Sequence, residues 1–215
     1  NKPLSDWSKA DAVSFGCDLG GRDDLCAYSA VARFATNDSE DDGTPIYRYE
    51  SRTQAYISSS TKRDLRQKPF CDLIEDGFIS VTNTPIADLQ ADLIEDYWKY
   101  NGTDVAIDPY QAQQFGEQCT QQGLQIATMA QTTAHFNQPI SIFRQACADE
   151  NFVHDNDLLL KWCLSNAVAV RDRSDRYMLD KASSSQKIDP LVACLMALAR
   201  ATAAPVRGKG DFYVT

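Results

Sequence analysis

The sequence predicts an α/β domain built on a mixed sheet, with three leading antiparallel strands and flanking helices. Three observations point to it. Up to Ile57 the chain runs in strand-length segments of alternating apolar and polar residues, divided by turn residues. From Pro85 onward, stretches with helical spacing alternate with short β-branched runs. The run Asp104–Ile107, a helix, and then residues 125–130 form a strand–helix–strand unit, which requires parallel pairing through a right-handed crossover.

The elements follow in order. Residues 1–12 read as a polar lead-in, with Trp7 packing on the domain edge. In residues 14–30, SFGCDLGGRDDLCAYSA, the apolar Phe15, Cys17 and Leu19 alternate with Ser14, Gly16 and Asp18, the pattern of a strand with one greasy face. Gly20 and Gly21 supply turn chemistry by reaching positive φ. A long return strand covers 25–35, an acidic turn 37–43, and a third strand 46–57. The acidic turn lacks EF-hand spacing and reads as a solvated hairpin loop. Residues 59–68 carry Lys62, Arg63, Arg66 and Lys68 at helical spacing, with Ser59 or Ser60 as cap. Two readings stand for them: an exposed helix face, or a patch that contacts phosphate.

Residues 73–82 fit a short helix or a strand. Pro85 opens a helix over 86–100, whose Ile86, Leu89, Leu93, Ile94, Tyr97 and Trp98 share a face. After Asp104–Ile107 comes a helix over 110–122 closed by Gly123, then the strand 125–130 and a polar loop over 131–136. Helices are expected over 139–150 and 158–170, the second capped by Asp157, with a turn at 154–156 between them. Residues 171–175 break the pattern, 177–180 form a short strand, and 182–186 a serine-rich loop. A last helix runs over 188–203 with a narrow apolar stripe.

At 215 residues the chain is long enough to bury a core as a single domain, 1–215, with 1–12 and 204–215 peripheral. Its net charge of −9 argues against a protein that simply coats nucleic acid, but not against a nuclease, whose bound metals offset clustered acids. Seven scattered cysteines without C-x-x-C spacing, beside only two histidines, disfavour a zinc site and predict reduced thiols in an intracellular protein. No run is long and apolar enough to span a membrane, no signal peptide is visible, and no G-x-x-x-x-G-K-[ST] phosphate loop is present. The start at Asn1 rather than Met suggests an excised domain of something longer.

Three acids recur at element ends: Asp18 on the first strand, Asp108 at the carboxyl end of a later strand, and Asp189 at the start of the last helix. Each has an ordinary reading. Asp18 can simply end its strand, with Asp23 and Asp24 as solvated turn residues. Asp108-Pro109 and Asp189-Pro190 match a helix start with an Asp cap and proline at the first position. As a set, however, they are what a sheet needs to gather ligands for two divalent ions about 3.5–4 Å apart, which would activate a water and steady the leaving oxygen in phosphodiester cleavage. Ligation by oxygen alone suits Mg²⁺ or Mn²⁺.

The motifs CDLGGRDDLCAYSA, AIDPYQA, HDNDLLLKWCLSNAVAVRD and KASSSQKIDPLVACLMALARA, in that order, resemble the carboxy-terminal nuclease domain of the large terminase subunit of tailed bacteriophages. The resemblance covers about residues 14–203, and its last two motifs are the most specific. It implies an RNase H-like fold of the RuvC/terminase type. It also implies a metal-dependent endonuclease that cuts concatemeric viral DNA during packaging, using two Mg²⁺ or Mn²⁺ ions. The family's acidic triad falls on Asp18, bridging both ions, and on Asp108 and Asp189, each holding one. Asp24 is a further candidate ligand, and Lys187 would contact phosphate or tune a metal-bound water. Asn166 and Asp172 match the SNA…D motif in a structural or positioning role, and His154 matches a loop position. Lys62, Arg63, Arg66, Arg171, Arg173, Arg176 and Lys181 are the basic residues expected to contact DNA phosphates. The implied partners are double-stranded DNA, a packaging ATPase domain that this chain lacks, a small terminase subunit and a portal, in the host cytoplasm and without a membrane. Two other readings stay open: a Holliday-junction resolvase or transposase-like nuclease on the same fold, and a non-catalytic docking module of a packaging motor.

Overall fold

A computed structural model describes residues 3–21, 23–39, 41–110, 113–181, 183–184 and 186–205. The three leading strands form as expected: β1 (Ala12–Asp18), β2 (Cys26–Ser39) and β3 (Pro45–Ser58), each antiparallel to the next. On the far side of β1 lie β5 (Asp104–Ile107) and β6 (Ile126–Thr128), both parallel to it. On the outer edge of β3 lie β4 (Ile79–Thr82) and β7 (Phe152–His154), also parallel to their neighbour. The sheet therefore reads β4-β3-β2-β1-β5-β6, with β7 on the same edge of β3 as β4. A separate hairpin, β8 (Ala169–Arg171) and β9 (Tyr177–Leu179), stands off the main sheet.

Helices cover both faces. On one side α2 (Pro85–Lys99) and α3 (Gln113–Gln121) pack Leu89, Leu93, Tyr97, Phe115 and Cys119 against Val13, Phe15 and Cys17 of β1. On the other, α4 (Thr133–Ala148), α5 (Leu158–Asn166) and α6 (Asp189–Ala203) build the second core with Ala27, Val31, Tyr49, Ala55 and Ile57 of β2 and β3. Full burial of a Leu, Ile or Phe side chain stabilises the fold by roughly 1.5–3 kcal/mol.

Several expectations need correction. The second face of β1 is as buried as the first, because Ser14 and Gly16 are small enough for α6 to lie directly on the strand. Correspondingly, α6 has no narrow stripe and is buried at every position from Pro190 to Leu198, between the sheet and helices α4 and α5. Gly20 and Gly21 do not adopt positive φ. Gly20 is required by space instead, since a Cβ there would lie 2.2 Å from the Leu25 carbonyl oxygen.

Residues 59–68 form turns rather than a helix, and the short helix α1 (Phe70–Glu75) follows them. Their backbone is taken by side chains: Asp23 accepts from the Lys62 N–H at 2.8 Å, and Asp64 from the Arg66 N–H at 3.2 Å. Such bonds compete with the helical ladder. Helix α4 begins at Thr133, with Pro139 buried inside it rather than opening it. Helix α5 ends at Asn166, and the following residues enter β8. Residue His154 closes β7 instead of lying in a turn. Trp7, expected at the edge, is buried and donates through Nε1 to Glu50 at 2.9 Å, so it and Ala10 join the core from the lead-in. Of the expected tail, 206–215 lies outside the described residues. All seven cysteines are free thiols, and five of them are buried. Among the described residues no helix is long and apolar enough to cross a membrane.

Asp157 caps α5 as expected, accepting from the Leu160 N–H at 2.8 Å. Burial pushes its carboxyl up to about 6, against the opposing pull of that bond. The unfolded chain releases this proton first, so the contribution is highest below pH 4 and is lost as pH rises through about 6. Asparagine caps equally well without the charge. Asp157→Asn is therefore expected to gain about 3 kcal/mol relative to the parent between pH 4 and pH 7, at 1.36 kcal/mol per pH unit. Urea melts of both proteins across that range check it; a constant difference between them would refute it.

Candidate active site

The site is assembled by close approach of α6 to β1. Gly16 faces the α6 backbone so tightly that a Cβ would fall 2.2 Å from the Ala193 carbonyl oxygen. Asp18 lies two residues further along β1, on the same face. Asp189 lies four residues before Ala193, one turn back on the same side of α6. The two carboxylates are thereby brought to one end of the strand–helix contact. They line a cavity of about 450 Å³ together with Gly20, Gly21, Asp24, Arg63, Lys181, Ser184, Gln186 and Lys187.

The charged groups fall into two halves. In the first, the Lys181 ammonium bridges the pair, 2.7 Å from Asp18 Oδ2 and 3.5 Å from Asp189 Oδ1. Gln131 holds the other Asp18 oxygen, with Nε2 donating to Oδ1 at 3.1 Å. Asp189 Oδ2 is buried and has no hydrogen-bond partner among the described residues. Burial, followed by the Asp18 charge, raises the Asp189 carboxyl above its ordinary range, against Lys181 and Lys187. Burial pulls the Lys181 ammonium down, but Asp18 and Asp189 together hold it above the usual lysine value. In the second half, Lys187 Nζ donates to Asp24 Oδ1, and an Arg63 terminal nitrogen stands 3.8 Å from the same oxygen.

This donor set fits a hard divalent cation. Two carboxylates from different elements, one buried and one nearly so, already share one positive charge, and one Asp189 oxygen has no hydrogen-bond partner among the described residues. Asp18 and Asp189 are the residues that could hold the ion. Asp108 is not gathered with them. The β1–β5 register pairs Cys17 with Ile107, so Asp108 follows beside Asp18, but its carboxylate turns back to accept from the Tyr110 N–H at 2.8 Å. Among the described residues no three Asp, Glu, His or Cys side chains come together as one metal-holding group. Asp24, expected as a further ligand, lines the same cavity and is engaged by Lys187 and Arg63.

Of the seven basic residues expected to contact DNA, Arg63 and Lys181 line the cavity. Lys62 and Arg66 lie on the exposed 59–68 turns. Arg171, Arg173 and Arg176 lie on the β8–β9 hairpin, where Arg171 pairs with Asp175 and Arg176 with Asp172. Asp172 also accepts from the Ser174 and Arg176 N–H groups, so it shapes the hairpin turn. Asn166 is buried at the end of α5. His154 is away from the cavity, its Nδ1 accepting from the Asp157 N–H. Gln131, in the polar loop after β6, carries no catalytic motif in the sequence. Its position just past β6 was a usable signal, because parallel strands gather ligand-binding groups beyond their carboxyl ends.

The chain is similar to terminase large subunits in both sequence and fold. The chain is 24% identical over 203 residues to the large terminase subunit of Enterobacteria phage HK97, covering 92% of this chain and 39% of that protein. The crystal structure of the HK97 large terminase superposes with a TM-score of 0.73 at 21% identity, covering 88% of this chain and 39% of that one. The large terminase nuclease of the thermophilic phage G20c gives 0.53 at 16% identity over 89% of this chain and 81% of that one. Its magnesium-bound form gives 0.53 at 14% identity, over 88% and 81%. The fold is thus the RNase H-like fold of terminase nucleases, and this chain spans about two fifths of the HK97 protein. Since the family model for the endonuclease domain of the terminase large subunit matches residues 11–204, nearly the whole described chain, the protein belongs to that family.

Proposed function

We propose that this domain is a divalent-metal-dependent DNA endonuclease that cuts concatemeric viral DNA during genome packaging, by phosphodiester hydrolysis at two Mg²⁺ or Mn²⁺ ions. The observation that carries the reading is the pair Asp18 and Asp189, from β1 and α6, sharing one cation while an Asp189 oxygen has no partner among the described residues. Asp18 would bridge the ions and Asp189 hold one. Asp108 would join from the neighbouring strand, which lies about 4.8 Å away in a paired sheet. Bound ions would supply an ionised water at neutral pH and charge compensation at the departing 3′ oxygen. The chain's own residues do the rest. Gln131 fixes one oxygen of Asp18, Lys181 neutralises the carboxylate pair, and Arg63 and Lys187 present positive charge to the DNA backbone. Lys62, Arg66, Arg171, Arg173 and Arg176 would guide the duplex by phosphate contact, which carries no base sequence. In the whole terminase, the partners would be the packaging ATPase domain, the small subunit and the portal, in the host cytoplasm.

Incubation with supercoiled plasmid in Mn²⁺, Mg²⁺ or EDTA tests the reading. Nicked and linear products are expected with Mn²⁺ or Mg²⁺ and none with EDTA. A metal at 100 times its Kd should add about 2.7 kcal/mol, or roughly 5–10 °C in melting temperature for a domain of this size. Neither cleavage nor a melting shift would leave a docking module. Preferential cutting of four-way junctions over plasmid would move the assignment to a resolvase.

A further inference from the structure

We propose that Arg63 and Lys187 form a cradle for a DNA phosphate, and that the Asp24 carboxylate occupies this cradle as an internal substitute until DNA displaces it. The inference rests on the endonuclease reading above and assigns Asp24 to regulating DNA binding rather than to holding metal. Two cations from distant parts of the chain converge on one oxygen: Lys187 from just before α6, and Arg63 from the 59–68 turns. Such convergence marks an anion position, and this one lies in the same cavity as Asp18 and Asp189.

The Arg63 half of the cradle does not depend on Asp24 for its shape. Arg63 Nε donates to the Asp23 carbonyl oxygen at 2.7 Å. The Arg63 N–H donates to Thr61 Oγ1 at 3.3 Å, and Thr61 Oγ1 donates to Asp23 Oδ1 at 3.2 Å. The guanidinium also stands 6.0 Å from the centre of the Phe70 ring. A guanidinium fixed in this way is pre-organised for an oxyanion, and its planar fork matches phosphate as well as carboxylate. Nor does Asp24 serve stability to any degree that explains it. Its side chain is 43% exposed, and exposed ion pairs contribute about 0–1 kcal/mol. What Asp24 does change is charge. The cavity is lined by three carboxylates and three cations, so without Asp24 it would carry a net positive charge facing DNA. With Asp24 in place, a phosphate must displace it from both partners.

The test is DNA binding in EDTA, by fluorescence anisotropy of a labelled duplex at several salt concentrations. Asp24→Asn is expected to bind three- to tenfold tighter than the parent. Its dependence of log K on log salt should steepen by about 0.9, the value for one added phosphate contact. Adding Lys187→Met or Arg63→Met should cancel the gain. Asp24→Ser serves as a second variant with a different side chain, and melting temperatures of all variants confirm folding. Unchanged or weaker DNA binding by both Asp24 variants would overturn the proposal. So would loss of the Mn²⁺ melting shift in them, which would make Asp24 a ligand. Failure of the parent protein to cleave in Mn²⁺ would instead refute the endonuclease reading, an outcome separate from the binding comparison.

Discussion

Asp18→Asn should yield a folded domain that has lost at least about a thousandfold of its Mn²⁺-dependent nicking. The size follows from the role. A metal held at the reacting phosphate contributes several kcal/mol, and each 1.36 kcal/mol is a tenfold change in rate. Asparagine keeps the shape, and the neighbours can adapt. Lys181 can donate to its amide oxygen, while Gln131 can rotate its own amide to accept from the new NH₂. The fold should therefore survive with a stability change of about 1 kcal/mol or less, since one of two mutually repelling neighbouring carboxylates has been neutralised. The Mn²⁺-induced melting shift should shrink together with the activity. Nicking at the parental rate by a variant with native circular dichroism would remove Asp18 from the metal site. Loss of activity with the melting shift intact would make Asp18 a residue of the chemical step alone.

How much of this was readable in advance depends on the range over which each residue acts. The leading strands were legible because strand-length runs bounded by turn residues are a local signal, and β1 to β3 form there, although burial on both faces of β1 erases the expected alternation. The helix start at Asp157 was legible because a cap acts within one turn, whereas Asp189 stands inside α6, with Ile188 at the cap position and no side-chain capping bond. The basic stretch 59–68 was misread because what melts its helix is Asp23, nearly forty residues earlier, reaching across to its backbone. The strand β7 was missed because three residues carry no period, and its partner β3 lies a hundred residues away. Lys181 was placed among the DNA contacts by charge alone, whereas its position between Asp18 and Asp189 follows from the return of the chain past the β8–β9 hairpin. Asp108 shows the converse. Its strand was as expected, yet its carboxylate is taken up by the Tyr110 N–H in a turn ahead of α3.

Gly16→Ala should be the most damaging single methyl group in the sheet. The added Cβ would lie 2.2 Å from the Ala193 carbonyl oxygen, 2.6 Å from the Ala197 nitrogen and 2.8 Å from the Met196 Cβ. Two of these are backbone atoms of a helix buried on all sides, so neither rotamer change nor local yielding relieves the contact. Overpacking of a core costs typically 1–3 kcal/mol, and this case belongs at the upper end. At about 2–4 °C per kcal/mol the melting temperature should fall by roughly 6–12 °C. Gly21→Ala is the internal control. The nearest atom to its Cβ is 4.0 Å away and its φ is not positive, so it should be neutral or gain up to about 1 kcal/mol. A Gly16→Ala protein that melts with the parent would contradict the close packing of α6 on β1. That packing is also what sets Asp189 opposite Asp18, so a folded Gly16→Ala protein should bind Mn²⁺ more weakly, although the methyl group touches neither carboxylate. An unchanged Mn²⁺ melting shift in that variant would mean that the two acids are positioned by something other than the strand–helix contact.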